Sequence, residues 1–287
     1  MTHQKYSDLV HSARSAVGRQ LAKFRAAVAG PYVQAFLVDS YNGRLLVPPG
    51  DLQIGRALAF GGHWERETIG FLGSYLKPTS EVLIVGAHVG ALLIPIARRV
   101  KCVVGLEPNP AIFELLKMNL KINDIANAEC FDFAAGERDG AAEFLISGYN
   151  SGTSKVRRGE VEKLPYNVGR YQSIEVRTRR LDDAFAGRHF DLIVIDVEGS
   201  EAAALAGMPT LLRAASFLSL EVMPDHISHL ANQSAEEFFK PVSQVFNRAV
   251  LCDEPSGRQF RAEEFPTLLE RAGAGFKDVF FYRVQSA

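Results

Sequence analysis

Cysteine is scarce. There are three among 287 residues, Cys102, Cys130 and Cys252, far apart and without a Cys-x-x-Cys pair. The odd number and wide spacing argue against a disulfide framework or a zinc knuckle and predict reduced thiols in a cytoplasmic protein. An excess of one charge is lacking too. Lys and Arg total 32, Asp and Glu 33, for a formal net charge of -1, so no global field draws the chain to nucleic acid or an anionic membrane. No basic start followed by an apolar stretch opens the chain, so no secretory signal is expected. No apolar run approaches the ~20 residues of a membrane span. The remainder, 47% hydrophobic and 23% charged, is an ordinary globular composition long enough for a sizeable core.

Residues 6–28 read as an amphipathic helix, with Tyr6, Val10, Ala13, Val17, Leu21, Phe24 and Val28 at helical spacing and Arg14, Arg19, Lys23 and Arg25 beside them. Such a helix caps the domain or pairs with a second copy in a homo-oligomer; its basic face also suits a membrane surface. Gly30-Pro31 ends it. A strand pair over 33–47, turning at Asn42-Gly43, and a helix carrying Ile69, Leu72 and Leu76 complete an N-terminal extension, 1–80. The domain proper is read as 81–287. There, apolar strands (Val82–Val85, Cys102–Leu106, Ala128–Phe133, Phe190–Ile195, Ser216–Val222, Ala249–Cys252, Asp278–Val284) alternate with helical patterns. Continuous apolar runs in that rhythm predict a mostly parallel sheet of about seven strands with helices on both faces, a doubly wound, Rossmann-like α/β fold. Segment 141–180 breaks the rhythm and reads as an inserted hairpin with a polar loop, Gly148 to Lys155, and a basic patch, Lys155, Arg157 and Arg158.

The chemistry concentrates at strand ends. Val82 to Val85 runs into Gly86-Ala87-His88-Val89-Gly90, a strand leading through a Gly-x-x-x-Gly turn into a helix. Small residues there let a ligand approach the backbone where open α/β sheets bind their ligands. A dinucleotide fingerprint would place glycine at position 88 to seat a pyrophosphate; His88 favours a ligand without phosphate. Glu107 ends the second strand, about 20 residues beyond Gly86, where a carboxylate accepts both hydroxyls of a ribose. The pair implies an adenosine-like ligand. Asp132 is placed to accept from an adenine amino group, and Phe133 to pack on the ring. After the fourth strand, Asp196, Glu198 and Glu201 follow in quick succession and face the same crevice. One of them can take a proton from a hydroxyl. Together they can also offer oxygens to Mg2+ or Ca2+, or Glu201 can serve as a first-turn helix acid; the reading adopted assigns no metal. Glu65 or Glu67 is placed to close over the ligand. His226 and His229 follow the fifth strand, within reach of a substrate.

These stretches, VLIVGAHVG (82–90), GLEPNP (105–110), LLKMNLKIN (115–123), AAGERDG (134–140), RRLDDAF (179–185), LIVIDVEGSE (192–201) and LSLEV (218–222), resemble the FkbM family of methyltransferases over roughly residues 60–225. The resemblance implies S-adenosylmethionine as cofactor and methyl transfer to an oxygen of a sugar, glycoside or natural product. It puts the methionine part on Gly86, Ala87, His88 and Gly90, the ribose on Glu107 beside Pro108 and Asn109, and the adenine by Asp132 and Phe133. Asp196 would face the cofactor's cation. The base would be Asp196 or Glu198, with His226 as a more remote candidate. The partner implied is a small-molecule or glycan acceptor, with no nucleic acid and no transmembrane segment. Two positions depart from the family: Ile84 replaces an acid that orients the turn and the methionine amino group, and His88 replaces asparagine. Ile84 supports an alternative, a catalytically impaired protein serving as a binding module or partner subunit.

Overall fold

The computed structural model describes residues 20, 24, 27–30, 32–148, 150–161, 164, 171–254, 257–273 and 275–284. Most of the expected basic helix 6–28 lies outside the described residues; within it Gln20, Phe24, Ala27 and Val28 are helical, and Ala29 continues the helix.

An eight-stranded sheet carries the fold. Its parallel half runs β11 (Phe217–Val222), β10 (Leu192–Ile195), β3 (Glu81–Val85), β4 (Cys102–Leu106) and β5 (Ala128–Phe131). Beyond β11, β14 (Lys277–Tyr282) inserts antiparallel between β11 and β12 (Arg248–Leu251). The two-residue β13 (Phe260–Arg261) adds an edge to the seven strands expected. The parallel strands are buried on both faces, which is why their sequences read as unbroken apolar runs. Alternate side chains feed two cores. Leu83, Val85, Ile193 and Ile195 join one with Phe239 and Phe281, and Val82, Ile84, Leu192 and Val194 join the other with Ile96 and Leu116. Among the described residues no helix is long and apolar enough to cross a membrane.

The second core also takes in the N-terminal hairpin, β1 (Phe36–Ser40) and β2 (Gly43–Val47), through Val38, Leu45 and Val47, and the helix Arg66–Tyr75 through Leu72. Polar clamps hold the hairpin there. The buried Asn119 accepts from Leu46 N at 2.7 Å and donates to the Leu46 and Val89 carbonyls at 3.0 and 2.9 Å. Asn42 donates to the Trp64 and Ala91 carbonyls, both at 2.8 Å.

The chain order reverses between β3, which leads to β4, and β10, which leads to β11. Such a switch point opens a crevice at the strands' carboxyl ends. The insertion covers its mouth as a separate four-stranded sheet, ordered β6 (Ala134–Gly136), β9 (Tyr171–Arg180), β7 (Gly140–Ser147) and β8 (Lys155–Val156). β7 and β9 pair as the expected hairpin, from Gly140 opposite Thr178 to Ser147 opposite Tyr171.

Candidate active site

The crevice is a cavity of about 270 Å³ whose wall includes Gly86, His88, Glu107, Phe133, Asp196 and Glu198. Its floor is the turn after β3. Gly86 has φ +99°, and a Cβ there would lie 1.8 Å from the Asp196 carbonyl oxygen. Gly86 N and Ala87 N both donate to the Leu106 carbonyl, at 3.1 and 2.8 Å, fastening the turn to the end of β4. His88 follows in the left-handed region, φ +47°, which asparagine and histidine enter more readily than most residues.

Glu107, 7% exposed, spans the same turn. Its Oε2 accepts from His88 N at 3.0 Å and its Oε1 from Asn109 N at 2.8 Å. Burial pushes its carboxyl up to about 7, against those two bonds. Each carboxylate oxygen keeps a further acceptor direction.

His88 Nε2 lies 2.8 Å from Ser151 Oγ, and Ser151 Oγ donates to Asp51 Oδ2 at 2.6 Å. The hydroxyl has one proton, spent on Asp51, so it accepts from His88 Nε2–H. That leaves Nδ1 as the imidazole's acceptor, and burial pulls the ring's pKa down. A serine that donates to the acid and not to the histidine is not an activated nucleophile; the chain instead ties the N-terminal segment and the inserted loop to the ligand turn.

Acids gather along the cavity and the pocket adjoining it. Glu65, with φ +48°, is pushed up to about 8 by burial and by Asp278. Asp278 itself rises to about 6, mainly through burial. Asp196 is raised by burial, then by Glu198 and Glu65, and Glu221 by burial, then by Asp196. Glu198, φ +53°, stands at about 7, raised by burial and held back by Lys155, whose fully buried Nζ is 3.8 Å from Glu198 Oε2. His226, 1% exposed, has its Nε2 3.9 Å from the same oxygen and is pushed down to about 3 by burial and then Lys155.

A family model described as the methyltransferase FkbM domain matches residues 85–248, more than half of the chain. The chain belongs to this family. It is an S-adenosylmethionine-dependent methyltransferase. Solved structures similar to it include the methyltransferase FkbM of Methylobacillus flagellatus KT, at 15% identity and TM-score 0.46, covering 94% of this chain and 59% of that one. An rRNA methylase of Streptococcus thermophilus aligns at 11% identity and TM-score 0.43, over 76% and 95% of the two chains. A 16S rRNA methyltransferase of T. thermophilus, in complex with AdoMet and guanosine, aligns at 16% and TM-score 0.44, over 89% and 53%. No curated protein matches the chain.

In this FkbM methyltransferase, Gly86, His88, Glu107, Pro108, Phe133, Asp196 and Glu198 share one cavity wall, and Ala87 lines the smaller pocket adjoining it. Other expected site residues stand elsewhere. Gly90 serves packing: with φ +88°, its Cβ would sit 2.9 Å from Leu116. Asn109 caps the helix Pro110–Ile122, accepting from Ala111 N at 3.2 Å. Asp132 is not on the wall; β5 stops at Phe131 and the chain bends, so its carboxylate pairs with Arg177 at 2.7 Å and is 58% exposed. Glu201 accepts from Val197 N and Gly199 N at 3.2 and 3.0 Å, fastening the loop after β10. His226 stands behind Glu198 and does not line the cavity. Glu67 and His229 stand outside the cavity wall. Lys155, Ser151, Glu221 and Asp278 escaped sequence reasoning, although the polar loop and basic patch at Gly148 to Arg158 marked the segment that brings in the first two.

Glu65 and Glu107 make folding depend on pH. Each holds its proton more tightly in the fold, at about 8 and about 7, than at the usual carboxylate value of 4.5. Between those limits the folded chain binds more protons than the unfolded one, so stability falls as pH rises. Their contribution is complete below pH 4.5 and is lost through about 7 for Glu107 and about 8 for Glu65. The ligand-free protein is therefore expected to melt lower as pH rises through this window, by about 2–4 °C per kcal/mol lost. Differential scanning calorimetry checks this, and a melting point that is flat or rises there removes the two acids from the account.

Proposed function

We propose that this enzyme methylates a hydroxyl oxygen of a small-molecule or glycan acceptor, such as a sugar, a glycoside or a natural product. The observation that carries the reading is Glu198, a carboxyl on the cavity wall held near 7, the range in which a general base works best at neutral pH.

The residues fit the cofactor. Gly86 presents bare backbone on the cavity wall, Glu107 keeps acceptor directions for a ribose, and Phe133 offers an apolar wall to adenine. Asp132, engaged with Arg177, leaves that role to Phe133. Bound S-adenosylmethionine supplies an activated methyl on a sulfonium. Asp196, on the same wall, would meet that positive charge, which would draw its carboxyl, raised by burial in the ligand-free protein, back toward the charged form. Ile84, where the family usually has an acid, lines the adjoining pocket together with Glu65, Asp196 and Asp278. These carboxylates supply at the pocket wall what Ile84 lacks, which favours an active enzyme over an impaired binding module.

Positioning is the protein's main contribution to an already activated transfer. Glu198 accepts the acceptor's hydroxyl proton, and Lys155 holds its carboxylate in place from the buried side. Calorimetric titration should show S-adenosylhomocysteine binding in preference to NAD, and mass spectrometry of a panel of sugars and glycosides should show a gain of one methyl. Stabilisation by NAD alone would overturn the cofactor assignment, and methylation confined to nitrogen acceptors would overturn the reaction class.

A further inference from the structure

We propose that Glu198, Glu221 and His226 form a binding site for a divalent first-row cation, Mn2+ or Zn2+, at the edge of the cavity that Glu198 and Glu221 line. One ligand atom from each lies within 4.8 Å of the others, and Glu198 Oε2 and His226 Nε2 are 3.9 Å apart, so a small inward shift of the side chains would bring the three donors to about 2.0–2.2 Å from a common centre. The three come from separate segments: the left-handed turn after β10, the penultimate position of β11, and the helical turn His226–Leu230. This trio differs from the Asp196, Glu198 and Glu201 set that sequence offers, because the Glu201 carboxylate is taken up by Val197 N and Gly199 N.

Glu221 supplies the independent sign. It lines the cavity and is 9% exposed, and its Oε2 is buried without a hydrogen-bond partner among the described residues. A buried carboxylate oxygen with no donor is costly until something positive reaches it. Its antiparallel neighbour across the sheet is Asp278, another acid, so β14 brings no relief. Lys155 stands on the Glu198 side of the group, 3.8 Å from Glu198 Oε2. One imidazole nitrogen with two carboxylates suits Mn2+ or Zn2+ better than Ca2+, which takes oxygen ligands throughout. Three protein donors leave coordination positions open on a bound ion. The site itself stands on these residues alone; its role rests on the methyl-transfer reading, in which a bound ion would take the place of the free Glu198 carboxylate in activating the acceptor hydroxyl.

Equilibrium dialysis of the full chain against Mn2+, with S-adenosylhomocysteine binding measured in parallel, tests the proposal. The expected result is stoichiometric binding by the wild type, weakened at least about tenfold in Glu221→Gln, with S-adenosylhomocysteine affinity retained. Pulsed paramagnetic resonance of Mn2+ on the wild type needs no variant; it should show nitrogen modulation from an imidazole. A wild type that takes up neither Mn2+ nor Zn2+ at millimolar concentration overturns the site, and leaves Lys155 as the cation serving these acids. So does uptake without the imidazole signal, or equal uptake by Glu221→Gln. Loss of S-adenosylhomocysteine binding alongside an intact ion site would instead overturn the cofactor assignment.

Discussion

Glu198→Gln should lower turnover by roughly 10²–10⁴, the span that a lost general base costs, while cofactor affinity stays close to that of the wild type. The asymmetry follows from position. Glu198 sits in the turn after β10, with Lys155 and His226 on its buried side. The carboxylate of that segment proposed to face the cofactor is that of Asp196, on the same cavity wall, whose backbone carbonyl lies against Gly86. Glutamine keeps the shape of the side chain and one acceptor oxygen, so the fold should hold. Single-turnover measurements with a confirmed acceptor, beside calorimetric titration of S-adenosylhomocysteine, separate the two effects. Full activity in this variant would remove Glu198 from the mechanism, and equal losses of affinity and turnover would move it to the cofactor.

Glu107→Ala is expected to weaken cofactor binding by about 1–3 kcal/mol, or roughly 10–100-fold, as charge-assisted hydrogen bonds to the ribose disappear. The same change strips His88 N and Asn109 N of their acceptor, so the variant should also melt lower. Glu107→Gln separates the contributions. It keeps one oxygen for the backbone and loses the charge, so it should recover much of the stability and less of the affinity. Calorimetric titration and thermal melting of both variants give the two readings. A dissociation constant unchanged in either folded variant would reduce Glu107 to a clasp for the turn.

The glycine turn and its carboxylate were legible in the sequence as neighbours because their determinants are local. A buried strand, a glycine turn and a carboxylate one strand later are fixed by neighbours in the chain, and Gly86, His88 and Glu107 stand together as their spacing required. Asp132 misled because strand ends are set by pairing and not by apolarity. β5 stops one residue short of it, and Arg177, from a strand 45 positions away, takes the carboxylate. The cluster of buried charges beside Glu198 was illegible for the converse reason. Glu221 reads as the end of one more apolar strand, Asp278 as the start of another, and Lys155 as part of a solvated basic patch, yet Lys155 is fully buried. Nothing in a linear pattern brings Asp51 and Ser151, 100 residues apart, onto His88. Those encounters exist only once the sheet and its insertion have formed.

The contact between Gly86 and the Asp196 carbonyl is made by bare main chain. The spacing between the floor that would carry the methyl donor and the wall that would carry the base is therefore a constant of the backbone, indifferent to which side chains surround it. Selection for a new acceptor can exchange residues of the inserted sheet, such as Phe144 or Val156, without retuning that distance. Gly86 is the position where such freedom ends: any side chain there would wedge the two halves of the catalytic ruler apart, and no compensating change elsewhere on the wall could restore it.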